Sequence, residues 1–392
     1  MDIVIVANFC LDFSDADNGR FSYLANLLSM RGHQVEIVTS LFDHATKKIR
    51  HGYNGTWPFK ITFLPEIGYK KNISIRRFVS HYVWGKNVQK YLNNRKKPDV
   101  IYCAIPSLTA PYYVAKYCEK NDVKFIIDVQ DLWPEAFKMV LNIPLISDII
   151  FLPFAFIANA SYKRADEIIA VSQTYAERAI KVSKKCMAGH VVFLGTNLST
   201  FDKNVSNFFV AKKNDKELWL GYCGTLGASY DLITVFDALR IIKEKGHVGP
   251  KFIIMGSGPR ELEFKERAKG LNVEFMGKLP YPQMCGLIAS CDIVVNPIVH
   301  NAAQSIINKH ADYAAAGLPV ISTQENMEYK ALVKSYEMGV NVSNGNPEEM
   351  ANAFISLMDN PEKRIQMGKN ARKCAEELFD REYTYTEILN VI

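Results

Sequence analysis

The sequence predicts an α/β protein with two open, doubly wound parallel-sheet domains facing across a cleft. Three observations predict this class. Short β-branched runs alternate with helical patterns along nearly the whole chain, most of those runs are continuously apolar, and the alternation begins afresh after a polar stretch near the middle. A parallel strand covered by helices on both faces needs apolar side chains on both sides, so it does not alternate. The 392 residues, 48% hydrophobic and 22% charged, are enough for two or three cores. That balance excludes a disordered tail, a fibre and a coiled coil.

In the first half, strands are expected at Ile3–Ala7, Gln34–Thr39, Lys60–Leu64, Val100–Cys103, Lys124–Val129, Glu167–Val171 and His190–Phe193. Helices are expected between them, at Gly19–Arg31, Leu108–Lys120 and Gln173–Lys181 among others. Residues 198–216 are rich in Asn, Asp, Ser and Lys and read as a linker between a domain of residues 1–197 and a second of residues 217–375. The second alternation has strands at Leu218–Cys223, Phe252–Met255, Val273–Met276, Ile293–Val295, Val320–Ser322 and Gly339–Val342. Its helices fall at Asp231–Glu244, Arg260–Lys269, Tyr281–Ser290, Ser305–Ala316, Pro347–Met358 and Glu362–Phe379. The end, residues 376–392, reads as a helical tail expected to pack back on the first domain.

The eight cysteines are scattered and form no CxxC pair, so reduced thiols are expected rather than a disulfide framework or a zinc site. His300 and His310 lack a ligand partner at metal-binding spacing, and no metal is expected. Met1-Asp2 runs straight into Ile3-Val4-Ile5-Val6 without a basic leader, so the cytoplasm is the expected compartment. The clean apolar run Ile149–Ala158 is half the length of a spanning helix, about 20 residues. It reads as either a buried or an interfacial helix. Between Lys47 and Lys97 there are thirteen basic residues and one acid, Glu66. That stretch is a solvated basic face or a surface for anionic lipid or a phosphorylated substrate. No nucleic-acid reader motif accompanies it.

Three strand ends in the second half carry glycine or open a helix: Gly224-Thr225-Leu226-Gly227, Gly256-Ser257-Gly258-Pro259-Arg260, and Pro297 through Lys309. Glycine allows close backbone approach, and helix starts present unpaired N–H groups to an anion. Together they suggest a nucleoside diphosphate, although each loop alone also suits a tight turn in any α/β domain.

The order Met255-Gly-Ser-Gly-Pro-Arg260, Val273-Glu-Phe-Met-Gly277, Cys291-Asp-Ile-Val-Val-Asn-Pro297 and Ala314-Ala-Ala-Gly-Leu-Pro-Val320 resembles the retaining glycosyltransferases of family 4. Arg31-Gly-His-Gln-Val-Glu-Ile-Val-Thr39 is similar to the same family, and Asp131-Leu-Trp-Pro-Glu135 to a subgroup that builds bacterial surface polysaccharides. The resemblance covers nearly the whole chain. It implies the GT-B architecture, two Rossmann-like domains, with a nucleotide sugar bound by the second.

Carried over residue by residue, it implies a catalytic set of Lys309, Asp131 and Gln304. The donor side would comprise Gly224, Thr225, Gly227, Gly256, Gly258, Arg260, Lys278, Leu279, Ser305, Ile306, Asn308 and Asp312. Acceptor-side positions are Asn18, Gly19, Trp133 and Glu135. The chain departs from the family pattern at five positions. Gln304 and Asp312 stand where the family has two glutamates, Thr225 and Tyr230 where it has an arginine and a lysine, and Gln130 where many members have a histidine. Lys309 is expected to supply the cation that the leaving diphosphate requires.

The function so implied is a hexosyl- or N-acetylhexosaminyltransferase acting with retention. It would move sugar from a nucleotide sugar, a UDP-sugar being expected, to a hydroxyl of a lipid-linked oligosaccharide. The site is expected on the inner face of the cell membrane, in peripheral contact with anionic lipid, with no cofactor and no nucleic acid. Alternatives are a catalytically silent scaffold of a polysaccharide-assembly complex and a sugar-nucleotide epimerase on the same fold.

Overall fold

Seven strands, all parallel, form the sheet of the first unit in the computed structural model: β1 (Asp2–Ala7), β2 (Gln34–Ser40), β3 (Lys60–Leu64), β4 (Val100–Ile105), β5 (Lys124–Val129), β6 (Glu167–Ala170) and β7 (His190–Val191). Their order is β3-β2-β1-β4-β5-β6-β7. Strands β8 (Trp219–Cys223), β9 (Lys251–Met255), β10 (Val273–Gly277), β11 (Ile293–Asn296), β12 (Val320–Ser322) and β13 (Gly339–Asn341) form a second parallel sheet in the order β10-β9-β8-β11-β12-β13. The structure describes all residues except 11–12, 14–18, 51–55, 140–145, 213, 215–216 and 303–304. The chain divides into Met1–Phe193 with Thr384–Ile392, and Leu194–Tyr383.

The apolar strands lie where their composition requires. Ile3, Val4, Ile5 and Val6 of β1 are fully buried, and Ile3 and Ile5 share a core with Leu24, Ala25 and Leu28 of the helix Arg20–Met30. Tyr385 and Ile388, near the C-terminus, complete that core. In the second unit, Tyr222, Phe252, Ile254 and Val295 meet Phe236 and Leu239 of the helix Leu232–Glu244.

Part of the stretch expected as linker is a helix. Leu198–Phe208 is capped by Asn197, whose side chain accepts from the Thr200 N–H at 2.7 Å. Leu198 and Phe201 turn inward three residues apart, a spacing that the surrounding polar residues hide in the sequence. Beyond it, the Val210 N–H donates to Ser290 Oγ at 2.8 Å, and Lys212 pairs with Asp292. This segment is therefore built into the second unit. The last expected helix, Glu362–Phe379, is realised as Pro361–Cys374 followed by one wider π turn, Ala375–Phe379.

Two glycine loops brace each other at the edge of the second sheet. The Gly224 N–H donates to Met255 O at 3.0 Å, Leu226 N–H to Ser257 O at 2.9 Å and Arg260 N–H to Leu226 O at 3.0 Å. A Cβ on Gly256 would overlap the Gly224 carbonyl oxygen, and φ there is +156°, so both space and conformation demand glycine. Gly249, in contrast, faces open space. Gly256→Ala should therefore cost the second unit about 2 kcal/mol or more in urea unfolding, by overpacking and backbone strain. Gly249→Ala should change it by less than about 0.5 kcal/mol. Equal effects would contradict this account.

Candidate active site

The site expected from the sequence lies where strands β8 and β11 pair and their chains part. Leu220 is in register with Ile293, and Gly221 with Val294. From Cys223 the chain enters the glycine loop and then the helix Leu232–Glu244. From Asn296 it runs through residues 297–307 into the helix Asn308–Ala315. Neighbouring strands whose connections leave in opposite directions open a crevice at their C-terminal ends, the usual ligand position in such sheets.

Lys309 lies in the first turn of the helix Asn308–Ala315 and is only 6% exposed. Its Nζ has no hydrogen-bond partner among the described residues. It sits 4.1 Å from the ring centroid of Tyr230 and 5.3 Å from that of Tyr222. Cation–π attraction offsets only part of the cost of burying an ammonium group. Burial pulls its pKa down to about 7. The tyrosine standing where the family has a cation thus lies beneath the cation that replaces it. Tyr222 also fixes the glycine loop, donating from Oη to Thr225 O at 2.9 Å.

A buried polar network positions the chain just before Lys309. Asn296, at the end of β11, donates from Nδ2 to Gln324 Oε1 at 2.9 Å and to Ser322 Oγ at 3.1 Å. Gln324 Nε2 donates to Ser305 O at 3.1 Å. His310 lies 2.7 Å from Gln324 Oε1 through Nε2, and its Nδ1 accepts from the Ile307 N–H at 2.9 Å. Burial lowers the His310 pKa to about 3, so the imidazole is neutral. Ser305 Oγ and Asn308 Oδ1 are buried without a partner among the described residues, and Ile306 is buried beside them. The sequence singles out neither Asn296 nor Gln324, and His310 only as a residue without metal-ligand spacing. The one signal of Asn296 and Gln324 is polarity at the ends of otherwise apolar strands.

Other expected residues fall differently. Asp312 is buried and accepts from Tyr281 Oη at 2.9 Å, and Tyr281 Oη lies 2.8 Å from Thr196 Oγ1. Burial raises its pKa to about 6, against the pull of the Tyr281 bond and the nearby Arg381 charge. This carboxylate holds the helix from inside rather than presenting itself to a ribose. Arg260 forms a two-pronged pair with Glu263, at 2.6 and 2.7 Å, which competes for its guanidinium. Thr225 is exposed at the loop tip, Gly227 is buried, and Gly258 packs against the Leu226 backbone. Lys278, exposed, and Leu279, half-buried, follow the outer strand β10. Gln304 lies outside the described residues.

In the first unit Gly19 follows β1 and Trp133 and Glu135 follow β5. Gly19 precedes the helix Arg20–Met30, and Arg20 makes a buried pair with Asp128 at 2.9 Å while Nη1 donates to Val192 O, Phe193 O and Tyr385 Oη. Gln130 buttresses the pair, donating to Asp128 Oδ2 at 2.7 Å. Burial raises the Asp131 pKa, and the indole N–H of Trp133, donating to Oδ2 at 2.9 Å, offsets part of that rise. Trp133 itself is 5% exposed, with His81 stacked at 5.5 Å and the Arg77 guanidinium 4.6 Å from its ring centre, so it is core rather than a wall. Glu135 pairs with Arg178. Asn18 lies outside the described residues.

Comparison with known proteins agrees with this geometry. Residues 217–360 match the family "Glycosyl transferases group 1" and residues 20–192 match "Glycosyltransferase Family 4". The structure superposes on HepE of Anabaena solved with UDP, at a TM-score of 0.69 and 16% identity, over 100% of this chain and 99% of that one. It superposes on WaaG, a glycosyltransferase involved in lipopolysaccharide biosynthesis, at 0.67 and 14%, over 98% and 99%. A curated relative from Mycobacterium tuberculosis, a GDP-mannose-dependent α-(1-6)-phosphatidylinositol dimannoside mannosyltransferase, is 24% identical over 41% of this chain. That match spans 39% of the relative's length. The two matched regions and the paired parallel sheets define a glycosyltransferase of the GT-B class. Within that class the first unit carries the family 4 match and the second unit the group 1 match.

An anion beside Lys309 favours its ammonium form. Diphosphate binding should therefore take up a proton between about pH 7 and the ordinary lysine range near 10.5. Calorimetry at about pH 8.5 in buffers of different ionisation enthalpy should show this uptake, and Lys309→Met should abolish it. Equal uptake in both proteins would remove Lys309 from the diphosphate site.

Proposed function

We propose that the chain transfers a sugar with retention of configuration from a nucleotide sugar to a hydroxyl of a lipid-linked oligosaccharide, at an anionic membrane surface. The observation that carries the reading is the buried, unpartnered amine of Lys309 beside the parting of β8 and β11. A leaving diphosphate gains negative charge as the glycosidic bond lengthens, and a desolvated cation stabilises that charge far more than an exposed one. In a front-side displacement the bond from the anomeric carbon to the leaving phosphate oxygen breaks. The bond to the acceptor oxygen forms on the same face. The leaving oxygen takes the acceptor's proton. This route needs no separate base, which suits a chain with Gln130 in place of the family's histidine.

A UDP-sugar is the donor read from the sequence, and the UDP complex of HepE supports it. The GDP-mannose-dependent relative supports a GDP-sugar as the second reading. Titration with UDP, GDP, CDP and dTDP in parallel decides between them. One diphosphate should bind selectively, and Lys309→Ala should weaken it and lower turnover by about 10²–10³, the scale of one preorganised donor. No binding of any diphosphate would overturn the donor site in favour of a scaffold.

Membrane contact rests on an exposed apolar face. Ile149, Leu152 and Phe156 of the helix Ile146–Tyr162 are 71%, 66% and 69% exposed. The helix Ile75–Asn94 adds exposed Ile75 and Val79, and its Phe78 ring lies 5.0 Å from Phe154. Exposed Lys70, Lys71 and Arg76 rim this face, which suits anionic lipid. No helix among the described residues is long and apolar enough to span a bilayer. Wild type should sediment with phosphatidylglycerol vesicles at low salt and less so at high salt, and Leu152→Ser with Phe156→Ser should abolish it. Failure of the wild type at both salts would sink the membrane reading.

A further inference from the structure

A second group of cations lies at the C-terminal edge of the first sheet. Arg77, near the start of the helix Ile75–Asn94, stands over three rings, with its guanidinium carbon 4.6 Å from Trp133, 5.5 Å from Tyr69 and 5.6 Å from Phe9. Its Nη1 donates to Asn72 O at 3.0 Å, and its buried Nε has no partner among the described residues. Lys47 shares the Tyr69 ring at 5.1 Å and donates to the His44 carbonyl. His44 Nδ1 lies 2.6 Å from Tyr69 Oη. His81, 3% exposed, has no partner at either ring nitrogen.

Among the described residues neither Arg77 nor Lys47 is in an ion pair. The three carboxylates nearby are otherwise engaged. Glu66 accepts from Ser40 and Ser80, Asp131 from Trp133, and Asp43 from the Ala45 N–H at 2.7 Å. The excess positive charge is felt locally. Burial, with Lys47 and Arg77 next, lowers the His44 pKa to about 4, and burial with Arg77 and His44 lowers that of His81. Two part-buried cations that repel each other, without an ion pair among the described residues, are costly to hold together unless an anion joins them.

We propose that Arg77 and Lys47 form a phosphate-binding site in the first unit that takes the phosphate or diphosphate joining lipid to sugar in the acceptor. The assignment rests on the lipid-linked acceptor of the proposed function. The same helix supports it, because Arg77 turns inward to the rings within the turn that exposes Ile75 and Val79, and its neighbour Phe78 touches Phe154. An amphiphile could lay its chain on that face with its phosphate at Arg77. The ligand is an anion rather than a sugar ring, since Trp133 already has His81 and Arg77 against it.

The test is equilibrium binding of farnesyl diphosphate and of inorganic pyrophosphate to the full chain. Farnesyl diphosphate should bind the wild type, more weakly as salt rises. Arg77→Met, which keeps the packed stem, should weaken it by about tenfold or more, as for a lost charge-assisted hydrogen bond. Arg77→Lys should restore part of the loss, and Lys47→Met should weaken binding on its own. Nucleoside diphosphate binding should be unchanged in Arg77→Met, and a circular-dichroism melting curve matching the wild type shows that its first unit is folded. Pyrophosphate bound as tightly as farnesyl diphosphate would overturn the lipid assignment in favour of a free-phosphate site. Farnesyl diphosphate affinity unchanged by Arg77→Met, or lost only in Lys309→Met, would overturn the site itself. If farnesyl diphosphate binds through Arg77 and no nucleoside diphosphate binds at all, this site stands and the donor reading falls.

Discussion

Parallel strands cannot be joined by tight turns, so each connection must cross back over a face of the sheet. When two hydrogen-bonded neighbours send their connections to opposite faces, nothing covers the edge between them. Strands β8 and β11 are such a pair. The backbone groups and side chains at that edge still need partners, and the second unit supplies them from its strand ends. Asn296, Ser322, Thr323 and Gln324 are polar and buried directly after runs of apolar residues. They hold residues 305–310 in place, and Lys309 inherits its position from them.

Buried cations in this protein fall into two kinds. Arg20 and Lys309 are almost equally enclosed, at 5% and 6% exposure. Arg20 meets a two-pronged carboxylate, two carbonyls and a tyrosine hydroxyl, and its pKa is raised despite burial. Lys309 meets two aromatic faces, and its pKa falls. The first is an internal ion pair that ties the helix Arg20–Met30 to β5. The second is an incomplete interaction. Arg77 and Lys47 resemble the second kind, with rings beneath them and no ion pair among the described residues.

The sheets were legible because both-face burial writes itself as unbroken apolar runs, and β3, β5 and β12 begin and end where the sequence places them. The helix Leu198–Phe208 was not, because it buries only a narrow stripe and most of its residues are polar. Lys309 was legible by position within a motif, but its cage was not. Tyr222 reads as a strand core residue and Tyr230 as a departure from the family pattern, and only folding brings both rings to one amine. Arg260 and Asp312 show the converse. Each has suitable chemistry in a suitable motif, yet Glu263 and Tyr281 reach them first. A sequence records which groups can bind a ligand, and only packing determines which remain available.

The glycines of the two braced loops carry a consequence for tracing ancestry. Gly256 and Gly258 are fixed by the carbonyls of Gly224 and Leu226, whatever the crevice contains. A lineage that abandoned sugar transfer would lose stability if it replaced them, so purifying selection would preserve the glycine signature long after the chemistry had decayed. Lys309 has the opposite inheritance. An unpartnered amine in the interior is a burden to any descendant without a diphosphate to bind, and drift should remove it first. Under the proposed donor reading, loss of that lysine from a descendant that keeps Tyr222 and Tyr230 would mark an abandoned site, whereas the glycines beside it would persist either way.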